Sequence, residues 1–294
     1  GYCVSKLKSI GSSIKLCNNI LATAWLLKPA KELYYPMFID WRGRFYSKGE
    51  YVNYQSHKAS LALLKFSKGL PITSMGILYL KYYGANLYGI GTSNEHRVAW
   101  VDEHHQSIMN LDIDLISKAK NVPLFAAFCI EYKNCFTCAS PNNFISALPV
   151  VVDCTCNGLQ HLAAMVADVA IAKSVNLLPE NIIHDIYKTV AQKITKECKL
   201  GFTVDRSMVK KVVMTVPYNV TLYSAAEYFI STFKYNPETQ TYSPENDSSV
   251  SITYKELHTL CSVVYKAFFK IHPALKNVVE YFKAIADLMT DCNC

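Results

Sequence analysis

Ala147-Leu-Pro-Val-Val-Val152 is apolar and β-branched, closes on Asp153, and passes through Cys154-Thr-Cys-Asn157 into an apolar helical pattern. That order predicts a buried strand over 147–152 with a carboxylate at its end, followed by a helix from about Gly158 to Ala172. Nearly every other periodic stretch is helical. Ile14, Leu16, Ile20, Leu21, Ala24 and Leu27 predict a helix within 9–33, with Pro29 and Pro36 marking where it yields to extended chain. Further helices are expected over 60–66, 77–88 and 121–132, from Pro179 to Lys199, from Arg206 onward, and over 254–290 with a break at His272-Pro273. The polar, Pro-containing stretch 235–249 reads as a loop or insertion. No internal repeat is present, so the expected class is α+β, helix-rich with few strands.

Composition limits the alternatives. The chain has 294 residues, of which 51% are apolar and 18% charged, enough to bury a core and too apolar for a disordered tail. No run of about twenty apolar residues predicts a membrane span. Eleven scattered cysteines without a leading secretory signal fit a reducing compartment better than a disulfide framework. The start at Gly1-Tyr2 without Met reads as a piece of something longer.

The net charge of +7 suits a polyanionic partner, but the balance within it is more informative. Only four of the thirty basic residues are arginines: Arg42, Arg44, Arg97 and Arg206. With 20 tyrosines, that bias matches A/T-rich coding of the kind found in organelle or plasmid genomes. Where lysine serves for ordinary surface charge, a retained arginine points to its planar fork, which grips phosphate or carboxylate with two donors.

Asp153 beside a turn is an arrangement that holds Mg²⁺, an ion that takes one or two carboxylates plus phosphate oxygens. A plain helix cap is the competing reading. Arg206, Lys210, Met214 and Tyr218 recur every four residues and form one slowly drifting stripe on a helix. Two cations on successive turns can bracket a triphosphate, with an apolar and an aromatic residue beyond them for base and sugar. The competing reading is a solvated basic face at Lys210 and Lys211 above a core stripe at Met214 and Tyr218. Cys135-x-x-Cys138 with Cys154-x-Cys156 has spacing for a four-thiolate zinc site, but zinc would compete with Mg²⁺ at Asp153, and no zinc is expected.

These segments carry a resemblance. Asp153-x-x-x-x-Gly158-x-Gln160-His161, with the Arg206, Lys210, Met214 and Tyr218 spacing, resembles motifs A and B of the single-subunit, bacteriophage-type RNA polymerases that also transcribe mitochondria. Asp40-Trp-Arg-Gly-Arg44-x-Tyr46 resembles that family's DxxGR block, Gly84-Ala-Asn86 another of its tripeptides, and Phe125 to Tyr132 its helix before motif A. Asn176-Leu-Leu-Pro179 and Asp185-Ile-Tyr187 resemble its connection from palm to fingers.

The resemblance implies a right-hand polymerase fold with partial palm and fingers, an incomplete thumb and no N-terminal domain. Residues 1–35 would lead from thumb into palm, 36–181 would form the palm part, and 182–294 the fingers part, ending before motif C. Asp153 would ligate a catalytic Mg²⁺ pair, with the Cys154 carbonyl as a further ligand. Arg206 and Lys210 would bind the triphosphate, Lys210 also protonating pyrophosphate, and Tyr218 would stack near the site and help select ribose. Arg42, Arg44 and Tyr46 would hold nucleic acid near the product hybrid. Arg97 lies in no motif and reads as an ordinary contact residue. Expected partners are a DNA template, nascent RNA and ribonucleoside triphosphates. The complete enzyme would be monomeric, open to an accessory initiation factor, in a mitochondrion and encoded by an organelle or plasmid.

Related DNA polymerases share these motifs. They place a Glu where Gly158 stands, crowding a 2′-hydroxyl, and usually an aromatic at Met214; both differences favour ribonucleotides. Asn219 replaces a family Gly and tolerates the left-handed backbone, while Pro217 is expected to end or kink the motif B helix. The family's second metal-binding Asp, in a His-Asp-Ser motif, has no equivalent before Cys294. His184-Asp185 reads as surface polar spacing on an amphipathic helix with Ile182, Ile183, Ile186, Val190 and Ile194. A non-catalytic, nucleic-acid-binding remnant is therefore the main alternative, and a family A-like DNA polymerase a lesser one.

Overall fold

The computed structural model describes residues 2–91, 93–180, 182–198, 202–245 and 247–292. Regular structure among them is mostly helical, with three two-stranded antiparallel sheets. The chain divides into two compact units, Gly1–Val152 and Asp153–Cys294, each around its own apolar cluster.

The first unit opens with α1 (Tyr2–Leu27), which stops before Pro29 as expected. Ile20 is buried on it, while Leu7, Ile14, Trp25 and Leu26 stay exposed. β1 (Met37–Ile39) and β2 (Phe45–Ser47) then form a hairpin. The helix expected over 60–66 is a single turn, α2 (Lys58–Ala62). Phe66 instead donates its N–H to the Ala147 carbonyl at 2.9 Å. After β3 (Leu70–Pro71) come α3 (Ser74–Tyr88), α4 (Asn94–Glu103), α5 (His105–Met109), α6 (Ile113–Ser117) and α7 (Val122–Thr137), then β4 (Ile145–Ser146), which pairs with β3. The core lies between α3 and α7. Gly84 allows their close approach: a Cβ there would stand 2.2 Å from the Phe128 ring. Phe125, Phe128 and Tyr132 fill the interface from α7.

The buried strand expected at 147–152 does not form. Apart from the Phe66 bond to the Ala147 carbonyl no backbone ladder runs along it, and Val150, Val151 and Val152 are exposed. β-branched residues suit a pleated surface, but a strand exists only through a neighbour's hydrogen bonds, and Pro149 has no N–H to give.

In the second unit, the single helix expected over 158–172 is two, α8 (Asn157–Val166) and α9 (Val169–Ser174). Ala167 turns left-handed at φ 54°, and Asp168 caps α9 by accepting the Ile171 N–H at 3.0 Å. α10 (Ile186–Cys198) starts later than the expected Pro179, because the Asp185 carboxylate accepts the N–H groups of Tyr187 and Lys188, each at 3.1 Å, and so sets the helix start. Ile182 and Ile183, in helical register with the buried Ile186, Val190 and Ile194, are exposed outside it. Lys199, the expected end of this helix, lies outside the described residues, as does Cys294.

α11 (Arg206–Thr215) is capped by Asp205 and runs into a 3-10 turn over Val216–Tyr218, closed by left-handed Asn219 at φ 54°. Both expectations for this corner hold: Pro217 ends the α-helix, and Asn219 supplies the backbone a glycine would. α12 (Leu222–Ile230) follows. The expected loop over 235–249 contains much of a hairpin, β5 (Phe233–Asn236) with β6 (Thr241–Pro244), its turn made by the polar residues. α13 (Tyr254–Ile271) starts in a capping box of Thr253 and Glu256 and ends at His272, since a residue before proline disfavours helix; α14 (Pro273–Asp291) then begins. No helix among the described residues is long and apolar enough to cross a membrane.

Candidate functional site

The turn at 153–156, the start of α8 and one face of α11 wall a cavity of about 350 Å³ within the second unit. Its lining includes Asp153, Cys154, Gly158, Arg206, Lys210, Met214 and Tyr218, so every site residue expected in this part of the sequence faces one space. Sequence spacing foresaw the stripe on α11. The core side of that helix is carried by Met208, Val209, Val212, Val213 and Val216, all buried. Met214 is 41% and Tyr218 72% exposed, which overturns the reading of these two as a core stripe.

Asp153 is exposed, and its Oδ1 accepts the Cys154 N–H at 2.9 Å. Its Oδ2 has no protein donor among the described residues. The first two N–H groups of α8, on Asn157 and Gly158, precede any intrahelical acceptor, so the cavity wall carries the positive end of a helix. Cys156, the residue before α8, is left-handed at φ 57°.

Gly158 faces the turn that follows α11. A Cβ on it would lie 3.1 and 3.2 Å from the Pro217 Cβ and Cγ and 3.3 Å from the Tyr218 hydroxyl. The space freed by the missing side chain is therefore closely approached by Pro217 and Tyr218.

Arg206 is held rather than loose. Its Nε donates to Asp185 Oδ2, and the guanidinium lies over the Tyr187 ring, 5.3 Å from its centre. Burial, with Cys156 close by, pushes the Tyr187 phenol up to about 12, so the ring beneath the cation stays neutral. Burial and the Asp185 charge likewise push the Cys156 thiol up to about 11. No three His, Cys, Asp or Glu residues cluster among the described residues.

Asp185 is the residue that sequence reasoning misjudged. It is neither mid-helix nor idle surface charge: one oxygen caps α10 and the other holds Arg206. The usable signal was an Asp immediately before an apolar helical run. Upstream, Asn176 clasps the backbone of His184, its Oδ1 accepting the N–H and its Nδ2 donating to the carbonyl, each at 2.8 Å. The same Nδ2 reaches the Thr155 hydroxyl at 3.4 Å.

In the first unit, the hairpin turn of β1 and β2 is organised by Asp40. Its Oδ1 accepts the N–H groups of Arg42 and Arg44, each at 2.9 Å, and Gly43 supplies the left-handed turn residue at φ 78°. The Arg42 fork closes on Asp40 Oδ2 through Nε at 3.1 Å and Nη2 at 3.0 Å, and the Tyr46 hydroxyl donates to the same oxygen at 3.2 Å. The Arg44 N–H and the Arg42 donors hold the Asp40 carboxyl below its ordinary value. The Arg44 side chain is exposed, with no protein partner among the described residues. Arg97 is an ordinary contact residue, donating to the Ile90 carbonyl at 3.4 Å and to Asn94 Oδ1 at 2.8 Å.

Residues 70–293 match the DNA-dependent RNA polymerase family. A probable DNA-directed RNA polymerase of Neurospora crassa is 32% identical over 98% of this chain and 35% of its own length. A protein of the same description from Podospora anserina is 29% identical over 97% of this chain and 33% of its own. The mitochondrial DNA-directed RNA polymerase of Schizosaccharomyces pombe is 34% identical over 66% of this chain and 18% of its own. The chain thus spans at most about a third of these relatives. Asp153 to His161 and Arg206 to Tyr218 lie within residues 70–293, the Asp40 to Tyr46 turn outside them, and the chain belongs to the DNA-dependent RNA polymerase family, the single-subunit, phage-type enzymes.

Proposed function

We propose that this chain carries the nucleotide-binding part of a DNA-directed RNA polymerase, which transfers ribonucleotides to an RNA 3′-hydroxyl under the direction of a DNA template. The observation that supports this best is the convergence of Asp153, Gly158, Arg206, Lys210, Met214 and Tyr218 on one cavity from segments far apart in sequence. In this reading residues 1–35 lead from thumb into palm, 36–181 are palm and 182–294 are fingers. The mitochondrial relative and the excess of lysine over arginine support a mitochondrial location.

The donors suit Mg²⁺ in kind: a carboxylate with one oxygen uncommitted beside a backbone carbonyl, both hard oxygens. Asp153 and the Cys154 carbonyl would hold the ion, which when bound supplies charge stabilisation at the phosphate and activates the 3′-hydroxyl. Arg206 grips the triphosphate with its Nη fork, and Lys210, one turn further along α11, holds the same group. As the 3′-oxygen, its proton passing to solvent, bonds to the α-phosphorus and the bond to pyrophosphate breaks, Lys210 gives its proton to the departing oxygen. The N–H groups opening α8 add positive potential for the phosphates. Met214 and Tyr218 flank base and sugar, and Gly158 presents no side chain to a 2′-hydroxyl. Arg44, with its fork free, holds nucleic-acid phosphate, while Asp40, Arg42 and Tyr46 shape the turn that presents it.

Titration of the chain with a fluorescent ribonucleoside triphosphate and Mg²⁺ tests this. Arg206→Ala and Lys210→Ala are each expected to weaken binding about tenfold or more, and Asp153→Asn to remove its Mg²⁺ dependence. Binding unchanged in Arg206→Ala or Lys210→Ala, or Mg²⁺ dependence kept in Asp153→Asn, overturns the assignment. Among the described residues Asp153 is the one carboxylate lining the cavity, and this favours a second reading, a non-catalytic nucleic-acid-binding remnant. Primer extension separates the two: template-directed incorporation by the chain excludes the remnant.

A further inference from the structure

We infer that Asp185 is a positioning residue for the triphosphate, acting through Arg206. This rests on the nucleotide-site reading of the cavity and adds a residue outside its lining. The Asp185 carboxylate is fixed on both oxygens. Oδ1 takes the N–H groups of Tyr187 and Lys188 at the start of α10, and Oδ2 takes Arg206 Nε. The residue before it is fixed as well, because Asn176 clasps His184 through both backbone groups. The aspartate is thus an immobile post between a clamp and a helix start.

The choice of donor decides what the post does. Nε is the one guanidinium N–H that is not on the terminal fork. Its engagement leaves both Nη groups of Arg206 without a protein partner among the described residues, on a side chain that lines the cavity. Tyr187, 5% exposed, supports the plane of the guanidinium from below. Arg206 and Asp185 are 48% and 32% exposed at their side chains, a setting in which an ion pair contributes little to stability. Its consequence is orientation. An arginine free to rotate would have to be ordered by each incoming nucleotide, whereas this one is ordered beforehand. Asp185 therefore strengthens binding of the phosphates that Arg206 grips and leaves binding of the rest of the nucleotide unaltered.

The test uses the full chain with Mg²⁺ and fluorescent ATP and AMP. Asp185→Ser keeps a helix-capping oxygen but is too short to reach Arg206. The triphosphate Kd is expected to rise about tenfold with the monophosphate Kd unchanged, and Asp185→Ser is expected to have no further effect in an Arg206→Ala background. An equal loss for ATP and AMP, or a full loss in the Arg206→Ala background, marks a merely structural role and overturns the inference. If Arg206→Ala weakens ATP binding and Asp185→Ser does not, the inference alone fails. If Arg206→Ala leaves ATP binding unchanged, the site reading fails and takes the inference with it.

Discussion

Gly158 and Tyr218 face each other so closely that a Cβ on the glycine would stand 3.3 Å from the tyrosine hydroxyl, with the Pro217 ring at 3.1 Å beside it. The contact joins the second residue of α8 to the turn that ends motif B, so the two motifs fix each other's position. One added carbon is tight but tolerable if the turn yields by a few tenths of an ångström. A longer side chain must displace Tyr218. Gly158→Ala is therefore expected to stay within about 1 kcal/mol of wild-type stability, helix propensity offsetting the crowding. Gly158→Glu is expected to incur overpacking of about 1–3 kcal/mol and weaken ribonucleotide binding correspondingly. Equal affinity of the Glu variant and wild type in a nucleotide titration would show that Tyr218 is not held by this contact.

Asn176 does two things that different substitutions separate. Its left-handed backbone, at φ 58°, suits asparagine or glycine, and its amide makes the two bonds to His184. Asn176→Gly keeps the backbone and loses the clasp, an expected loss of about 2 kcal/mol. Asn176→Ala should lose about 1 kcal/mol more from the strained φ. Urea unfolding measures both, and limited proteolysis after Leu177 or Leu178 should accelerate in each variant. Unaltered proteolysis would mean the loop is held by something other than Asn176.

The parts of the site legible in sequence were those that repeat along one element. Arg206, Lys210 and Met214 share a face of α11 because the helix turns about 100° per residue, and that rule needs no knowledge of neighbours. Asp185 was hidden because its partner lies 21 positions away and because Ile182 and Ile183 continue the apolar register backwards past the true helix start. The break at Ala167 was hidden because alanine favours helix; only Asp168, capping the next turn, hinted at it. At 147–152 the residue types matched a strand, but pairing is a property of two segments, and one segment's sequence does not contain it.

Glu131 is a buried anchor in the first unit, and its pH dependence has a definite sign. It is 1% exposed and accepts bonds from Lys65 at 2.8 Å, Ser146 at 2.7 Å and the Ala147 N–H at 3.3 Å. Burial works to raise its carboxyl pKa, but these donors outweigh it and hold the carboxyl below its ordinary value. The stability it contributes is present above the unfolded-state value of about 4.3 and is lost as pH falls below it toward the depressed folded value. Glu131→Gln should cost about 1–3 kcal/mol at neutral pH, and the difference from wild type should shrink in acid. A difference that stays constant from pH 7 to pH 3 would show that the charge plays no part.

His272 should impose a dependence in a higher range. It sits at the α13–α14 break, 6% exposed, with its ring against Phe268 and Nε2 without a hydrogen-bond partner among the described residues. Burial lowers its pKa; the charge of Asp168 opposes this and that of Lys193 adds to it. The unfolded chain takes up a proton near pH 6.5 while the folded chain still refuses it, so stability is full above that value and declines as pH falls through it. The decline cannot exceed about 1.4 kcal/mol per pH unit for one group, and it should level off below the folded-state value. Urea midpoints at pH 8, 6.5 and 5.5 measure it. In His272→Gln the same series should be flatter, because glutamine does not titrate; an unchanged slope would assign the dependence to another group. Since α13 and α14 both begin or end at this residue, the protonation that weakens His272 should loosen the packing of α14 on α13 before it reaches the cavity at the start of α8. Hydrogen exchange at pH 5.5 should therefore rise first in α14, with α11 still protected.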